Sequence, residues 1–457
     1  MIDERCKDCS LFLEFQELKK MFLEQQKEIE YLKKELDKTK KELEKYKKPP
    51  KDSSNSSTPP SKDLWTKKYP QRLSSNLKAG GQFGHVGKNK PLLDNVDEIV
   101  SLNPDICPYC GCNHFIEKSS DIKKRQLVDI AEIKPYVVEY QRKDFVCANC
   151  RRKNKVNFPI NGNVELGENA EKLIAYLNVQ HHVSYERIVQ IFDDVLGIKI
   201  SKGSVDNKLK SIFSKSKQKY DEILELLKNG TIIGSDETGM RINKTNSYVW
   251  IFQNPICSYF TSAKNRAYQT ISDTIGDEFK GIWVSDRYGS QLKIKATHQI
   301  CLAHLIRDCK YIEEAENSQW AKKLRTIFEE SIKYKNANIE KYNPLAKETF
   351  LAVRKYKEQL RELFKEMPIQ EKEKSLHGQL YKRQHQLLLF LEDINIPPTN
   401  NSSERGLRNR VTKRKVSGCF RSEKGAYCND VISSVIETAK KQNISILEAL
   451  SPGFSFA

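Results

Sequence analysis

The chain has 457 residues, which is enough for two to four domains with a substantial core. It carries 78 Lys and Arg against 60 Asp and Glu, and the net charge of +18 favours a polyanionic partner. The sequence shows neither a signal peptide nor a long apolar run, so we expect a cytoplasmic protein that is neither secreted nor membrane-spanning. Its 12 cysteines are too sparse for a disulfide scaffold and suit a reducing compartment and metal binding.

Residues 1–48 are predicted to form a dimerisation segment, built on one helix over residues 10–48. Apolar positions recur at alternating steps of three and four with Lys and Glu on the flanks, which is the heptad pattern of a coiled coil. These positions are Leu11, Phe15, Leu18, Phe22, Ile29, Leu32, Leu36, Leu43 and Tyr46. A buried Gln25 would fix the register. We expect a homodimer or higher oligomer, and the alternative is a lone solvated helix. Cys6 and Cys9 have no second pair nearby, which favours unliganded thiols over a metal shared at the end of the dimer.

Residues 49–100 are predicted to be a flexible basic linker. The stretch from Pro49 to Lys62 is rich in Pro, Ser, Asn and Lys, and the residues that follow add glycines and cations with little apolar content. An arm that follows DNA phosphates is one interpretation, and an ordinary loop is the other.

Two CxxC motifs predict a zinc ribbon over residues 101–160. Each turn presents two thiolates, and four thiolates complete a tetrahedron around a structural Zn²⁺. Alternating runs such as residues 134–140 between the motifs are typical of strands. Cys112 and His114 compete as ligands, but the matched pairs are favoured. The predicted ligands are Cys107, Cys110, Cys147 and Cys150.

Residues 161–228 are predicted to be helical and to resemble a helix-turn-helix. A helix from Ser184 is interrupted near Gly197, and Ser201 is suited to cap the helix that follows. The alternative is a helical hairpin that packs on the next domain. The residues predicted to face a DNA groove are Lys202, Ser204, Asn207 and Lys208.

Three carboxylates in the C-terminal half predict a divalent-metal site. Two β-branched and aromatic runs are typical of buried strands and end on Asp236 and Asp286. Like charges held together are costly unless a cation lies between them, and hard cations bound by carboxylates usually support phosphoryl chemistry. Glu404 is the best third ligand, since it falls in the first turn of a helix that Asn401, Ser402 or Ser403 can cap. Alone, it would be read as a complement to the helix dipole.

The surroundings of these carboxylates extend the prediction. Residues 247–252 form a hairpin with the first strand, and Glu237 would point to the face opposite its neighbour Asp236. The interval between the two aspartates leaves room for two more strands and a helix. Residues from about 305 to 395 are rich in Lys, Glu and Leu and are predicted to form an all-α insertion. The Cys301–His304 pair that precedes it is expected to have a structural role beside the active site.

A basic run follows Glu404 along the same helix. Cations there would lie beside the substrate phosphates, which the carboxylates alone would repel. The predicted DNA contacts in this run are Arg405, Arg408, Arg410, Lys413, Arg414 and Lys415.

Six segments form a set with a fixed order: Asn55-Ser-Ser-Thr-Pro-Pro-Ser, Gly80-Gly-Gln-Phe-Gly-His-Val-Gly, Ser235-Asp-Glu-Thr, Val284-Ser-Asp-Arg-Tyr, Cys301-Leu-Ala-His and Asn400-Asn-Ser-Ser-Glu-Arg-Gly-Leu-Arg. Together they resemble the bacterial insertion-sequence transposases of the IS-sixty-six type. The resemblance implies an RNase H-like fold and a DDE catalytic triad formed by Asp236, Asp286 and Glu404. Gly239 and Met240 stand where family members often carry proline and an apolar residue, which affects only the local turn.

The predicted fold class is therefore multidomain α+β, with an α/β RNase H-like catalytic domain over residues 229–457. The resemblance implies cleavage of element ends and strand transfer by two-metal phosphoryl transfer, with Mg²⁺ or Mn²⁺ as the metal. Asp236 would bridge both ions, with Asp286 on one and Glu404 on the other. Double-stranded DNA, as element end and as target, would be the partner of a protein associated with the nucleoid, and accessory transposition proteins are further candidates.

Two other functions remain open on the sequence alone. A non-catalytic or domesticated dimeric DNA-binding protein would need the coiled coil, the zinc ribbon and the helix-turn-helix. It would not need three carboxylates, and this difference favours the enzyme. A nuclease without strand transfer is the other alternative.

Overall fold

The computed structural model of the protein describes residues 10–47, 90–103, 105–116, 122–131 and 133–456. In the first of these segments, side chains are described for residues 14–40. The Cys6 and Cys9 pair and most of the predicted basic linker, with the segments that begin at Asn55 and Gly80, lie outside the described residues.

The chain divides into two compact units. One comprises Met1–Leu64, Ile160–Ile188 and Ser201–Ala457, and the other comprises Trp65–Pro159 and Val189–Ile200. Among the described helices, none has the length and apolar character needed to cross a bilayer.

The predicted N-terminal helix is confirmed as α1, Ser10–Lys47. Six of its predicted seam side chains are more than half exposed in the single chain: Phe15, Leu18, Phe22, Ile29, Leu32 and Leu36. An apolar row on an otherwise charged helix has no partner within its own helix, because its members lie on one face. The row is therefore available for a coiled-coil seam, and dimerisation stays a prediction.

The second unit contains the short antiparallel strands β1 (Phe145–Val146) and β2 (Lys153–Asn154). The prediction of a strand over residues 134–140 is wrong, because the structure assigns no strand there. The apolar side chains of that run do not reach a core: Tyr136 is 93% exposed and Val137 is 80% exposed. Alternation predicts a strand only where one face is buried, and neither face is buried in this run.

Three helices precede the central sheet: α2 (Glu168–Ala175), α3 (Tyr185–Asp194) and α4 (Lys202–Lys228). The predicted cap of the last helix is confirmed. The Ser201 hydroxyl accepts a hydrogen bond from the Ser204 N–H at 3.0 Å, which satisfies one of the free donors of the first turn.

The central sheet has five strands in the order β5-β4-β3-β6-β7. Their bounds are β3 Ile232–Ile242, β4 Thr245–Gln253, β5 Ser258–Ala263, β6 Glu278–Ser285 and β7 Lys295–Ile300. The hairpin of β3 and β4 is confirmed, and its turn residues Asn243 and Lys244 both have positive φ, 46° and 64°. These values match the turns whose twist suits a hairpin. β6 and β7 run parallel to β3, whereas β4 is antiparallel to both of its neighbours, β3 and β5.

The interval between the two aspartates holds β4, β5 and the short helix α5 (Gln269–Thr274), the two strands and one helix predicted. After β7 come α6 (Leu302–Glu316), α7 (Gln319–Ala337), α8 (Lys347–Lys365) and α9 (Glu371–Tyr381). From residue 301 to residue 400, all of which are described, the chain forms helices and turns and no strand, as predicted. The final helices are α10 (Asn401–Ser417), α11 (Glu423–Lys441) and α12 (Ile446–Ala449).

The sheet carries apolar side chains on both faces, as expected when helices cover both. On one face, Val284 and Ile300 join a core with α6 to α9 that includes Trp320 and Phe364. The other core comprises Met240, Ile242, Val249, Ile251, Phe260, Leu407 and Ala426, so that α10 and α11 cover this face.

Helix α4 packs on the same unit rather than projecting from it. The ring of Tyr220 stacks on Tyr259 of β5 with centroids 4.2 Å apart, and its hydroxyl donates to the Phe260 carbonyl oxygen at 2.7 Å. These contacts favour the helical-hairpin interpretation for the central and C-terminal part of α4.

Gly281 in β6 is expected to be indispensable for sheet pairing. A Cβ at this position would lie 2.3 Å from the Thr231 carbonyl oxygen, which accepts the Ile282 N–H at 2.8 Å. Because the obstacle is backbone, no rotamer change relieves it. We expect Gly281→Ala to lower the free energy of unfolding by about 1–3 kcal/mol in urea titrations. Gly378→Ala, on the exposed side of α9 with nothing near its Cβ, should be neutral or stabilising. Equal stability of the Gly281 variant and wild type would contradict the expectation.

Candidate active site

Strand register places the two predicted aspartates side by side. β3 and β6 pair in parallel with Ile232 opposite Ile282 and Gly234 opposite Val284. Continuing this register by two residues sets Asp236 level with Asp286, which directly follows the end of β6. The prediction that the first strand ends at Asp236 is wrong, because β3 continues to Ile242 in its hairpin with β4. Burial raises the pKa of Asp236 well above its ordinary value, and the negative charges of Asp286, Glu237 and Glu404 raise it further. The structure thus brings the three predicted carboxylates together.

Helix α10 delivers Glu404 because its first turn is held against the N-terminal half of β3. The Asn400 side chain donates from Nδ2 to the Ser235 carbonyl oxygen at 2.7 Å, and its own N–H donates to Cys301 Sγ at 3.0 Å. Gly234 permits the approach, since a Cβ there would lie 2.9 Å from Ser403 Oγ.

The predicted cap of this helix is wrong. Asn400 occupies the capping position, one residue before Asn401, and it makes no side-chain cap hydrogen bond. Its side chain instead reaches across to β3, so tertiary structure replaces the local cap.

His304 lies beside the site, as predicted, and its ring stands between two of the carboxylates. Its Nδ1 is 3.1 Å from Asp286 Oδ1, and its Nε2 is 3.7 Å from Glu404 Oε1. Burial lowers the pKa of His304, but the side chains of Asp286 and Cys301 outweigh burial and raise it to about 10. Among the described residues, Asp286, Cys301 and His304 form a group whose ligand atoms all lie within 4.8 Å of one another.

Glu237 points away from this site, as predicted for the neighbour of Asp236. Arg266 Nε donates to its Oε1 at 2.8 Å, and Gln291 Nε2 donates to its Oε2 at 2.7 Å. Its side chain is 2% exposed. The Arg266 guanidinium lies 3.9 Å from the ring centroid of Tyr288. Glu237 therefore has a complete set of protein partners and is a structural acid.

Comparison with known proteins connects this geometry to a family. The model of the family described as "Transposase IS66 family" matches residues 166–427, which include the three carboxylates and His304. The chain belongs to the Transposase IS66 family. A curated relative, "Uncharacterized protein y4jO" of Sinorhizobium fredii (strain NBRC 101917 / NGR234), is 40% identical over 70 residues. That match covers 15% of this chain and 22% of the relative, so the chain spans about a fifth of the relative's length.

The basic run of this IS66 family member divides into two faces of α10. Arg405, Arg408 and Lys415 are exposed, whereas Arg410 is 1% exposed and Lys413 is 8% exposed. The structure therefore contradicts the prediction that Arg410 and Lys413 contact DNA. The helical period assigns residues three and four apart to one face, so a continuous run cannot face DNA as a whole.

The inward cations of α10 have protein partners. Arg410 forms a buried ion pair with Asp430, and both side chains are almost completely enclosed. Lys413 Nζ donates to the Asn178 carbonyl oxygen at 3.2 Å. Burial and the charge of Arg410 lower the pKa of Lys413 to about 8. Arg414 is half-buried and donates to the Gly239 carbonyl oxygen, so it ties α10 to β3.

The predicted groove residues of α4 are also divided. Lys202 and Asn207 are exposed, and Lys202 forms an ion pair of 2.7 Å with Glu186. The Ser204 hydroxyl lies 3.0 Å from that of the cap residue Ser201. Lys208 turns inward, with a side chain 14% exposed and an ammonium 2.9 Å from Glu171, so the prediction that it contacts DNA is wrong.

The two CxxC knuckles have the same backbone geometry. The N–H of Gly111 donates to the Cys107 carbonyl oxygen and that of Arg151 to the Cys147 carbonyl oxygen, both at 2.9 Å. Gly111 and Arg151 both have positive φ, 71° and 56°. Hydrogen bonds from N–H groups inside each turn lower the pKa of Cys107 and Cys147. In the described chain, no three of the four predicted thiol ligands lie within 4.8 Å of one another, and the zinc ribbon stays a prediction.

Proposed function

We propose that the protein is a DNA transposase that cleaves the ends of its element and joins them to target DNA by two-metal phosphoryl transfer. The observation that supports this proposal most strongly is the convergence of Asp236, Asp286 and Glu404. They come from β3, from the end of β6 and from the start of α10.

The residues of this site fit divalent cations. Asp286 Oδ1 is buried without a hydrogen-bond partner, and the pKa of Asp236 is raised by burial and by three neighbouring acids. A cation among these oxygens would give Asp286 Oδ1 a partner and would offset the repulsion between Asp236 and its neighbouring acids. Asp236, Asp286 and Glu404 would hold Mg²⁺ or Mn²⁺, which, when bound, supplies an activated attacking oxygen and a stabilised leaving oxygen.

The chain's own residues would position the DNA around this site. Arg405 and Arg408 follow Glu404 on the exposed face of α10, where they would bind phosphates on either side of the scissile bond. Water attacks the phosphodiester first, and the freed 3′-hydroxyl of the element end then attacks target DNA. The side chains form no covalent bond to DNA. The mixed sheet would be an RNase H-like core, and α1 would hold two protomers on two DNA ends.

The test is cleavage and joining of DNA that carries the ends of the element from which the gene comes. We expect wild-type protein to cut at the element ends and to join them to target DNA with Mg²⁺ or Mn²⁺ present. EDTA should abolish cleavage without abolishing DNA binding. Cleavage that persists in EDTA would exclude the metal mechanism. DNA binding without cleavage in Mg²⁺, even after the other products of the element are added, would favour the non-catalytic DNA-binding protein.

A further inference from the structure

We propose that His304 is a metal ligand, and that its Nδ1 binds the same divalent cation as Asp286. This inference rests on the proposed function. It adds an imidazole to a site that the sequence describes with three carboxylates.

The contact between His304 and Asp286 has the form of two ligands that share an ion. Nδ1 and Oδ1 are 3.1 Å apart, yet each is buried without a hydrogen-bond partner, because the direction of the contact is not that of a hydrogen bond. Two ligand atoms at about 2.1 Å from one cation lie roughly 3 Å apart when they are adjacent in its coordination sphere. An ion beside both atoms therefore accounts for a close contact that hydrogen bonding leaves unsatisfied.

The other ring nitrogen supports the same assignment. Nε2 faces Glu404 Oε1 at 3.7 Å. Histidines that bind metals usually direct their second N–H to a carboxylate or carbonyl, which fixes the tautomer and the ring orientation. With the proton on Nε2 toward Glu404, Nδ1 keeps its lone pair and can bind a cation beside Asp286.

The backbone holds this histidine firmly relative to Glu404. His304 is in the first turn of α6, and Glu404 is in the first turn of α10. The Leu302 N–H donates to the Pro398 carbonyl oxygen at 3.0 Å, and Cys301 Sγ accepts the Asn400 N–H at 3.0 Å. The starts of the two helices are thus joined twice. Cys301 Sγ is engaged by this backbone donor, so Cys301 positions the helices and His304 supplies the ligand.

The chemical consequence is a change in metal preference. A site of carboxylates suits Mg²⁺, whereas imidazole ligands favour first-row transition metals. We therefore expect the protein to bind Mn²⁺ more tightly than Mg²⁺ and His304→Gln to reduce that preference. The His304 side chain is 17% exposed and that of Asp286 is 28% exposed, so the pair lies near the surface although Nδ1 and Oδ1 themselves are buried.

Pulsed electron paramagnetic resonance of full-length protein with Mn²⁺ alone, without DNA, tests the assignment directly. We expect nitrogen-14 coupling to bound Mn²⁺ in the wild type, and its replacement by nitrogen-15 coupling after labelling with ¹⁵N-histidine. The coupling should disappear in His304→Gln and persist in His298→Gln. His298 is the matched control because it is buried on β7 with Nε2 3.0 Å from the Ile294 carbonyl oxygen. Calorimetry should show Mn²⁺ binding at least tenfold weaker in His304→Gln.

The outcomes separate this inference from the proposed function. Mn²⁺ that binds in the wild type but not in Asp286→Asn, without nitrogen coupling, overturns the role of His304 and leaves the carboxylate site intact. Mn²⁺ binding that is identical in wild type and Asp286→Asn overturns both. If His304→Gln fails to fold, as judged by circular dichroism, the labelled wild-type spectra still decide the question.

Discussion

Asp236→Asn is expected to lower DNA cleavage by a factor on the order of 10³ or more while DNA binding stays near wild type. The substitution keeps the size of the side chain but removes a charged ligand from the cation site. Lewis-acid stabilisation of phosphoryl transfer amounts to several kcal/mol, and each 1.36 kcal/mol corresponds to about tenfold in rate. The measurement is single-turnover cleavage of element ends in Mg²⁺, with binding followed separately in Ca²⁺.

Glu237→Gln is the matched control for that experiment. It makes the same chemical change one residue further along β3, but Glu237 is engaged by Arg266 and Gln291 on the opposite face. We expect cleavage within a few-fold of wild type. Equal inactivation by both substitutions, or loss of DNA binding with Asp236→Asn, would mean that the two carboxylates have been given the wrong roles.

Arg410→Met is expected to destabilise the fold by about 3–5 kcal/mol, because it leaves the Asp430 carboxylate buried and uncompensated. Burial raises the pKa of Asp430 and lowers the pKa of Arg410. The attraction between the two charges opposes both shifts but does not cancel them. Two nitrogens of Arg410, Nε and Nη1, have no hydrogen-bond partner in the described chain. Urea unfolding measures the effect.

Two further variants distinguish a core ion pair from a DNA contact. Arg410→Met combined with Asp430→Leu should recover most of the lost stability, since removing both charges of a buried pair is often neutral or stabilising. Arg408→Met, on the exposed side of α10, should weaken DNA binding and leave unfolding within about 0.5 kcal/mol. An Arg410→Met protein of normal stability that no longer binds DNA would instead support the prediction that Arg410 contacts DNA.

Asp236 and Asp286 could be singled out from the sequence because their signal is local. A buried apolar run that leads into a charged residue is visible along the chain, as before Asp236 and Asp286, and parallel pairing then sets these two positions side by side, although β3 continues past Asp236 to Ile242. The helical segment from residue 302 to residue 391 was likewise visible in its composition.

The predictions for Arg410 and Lys413 are wrong because the residues that these side chains contact are distant in the sequence. Arg410 resembles its neighbours in the basic run, and its partner Asp430 becomes evident only when α10 and α11 pack together. The carbonyl oxygen of Asn178 accepts a hydrogen bond from the Lys413 ammonium, and Asn178 lies on a π-helical turn before α3. His304 carried a usable signal, since Cys301 and His304 follow directly after a buried strand that is parallel to β6. Its position between two carboxylates nevertheless required the fold.

The division of α10 into two faces fixes how salt will affect DNA binding. Each phosphate neutralised on duplex DNA contributes about −0.9 to the slope of log K against log salt concentration. If Arg405, Arg408 and Lys415 each bind a phosphate, α10 would contribute a slope of about −2.7, whereas all six cations would give about −5.4. The net charge of the chain would thus overestimate its affinity for DNA, because part of that charge is buried and stabilises the interior. Only cations on the exposed face of α10 could displace counterions from DNA phosphates.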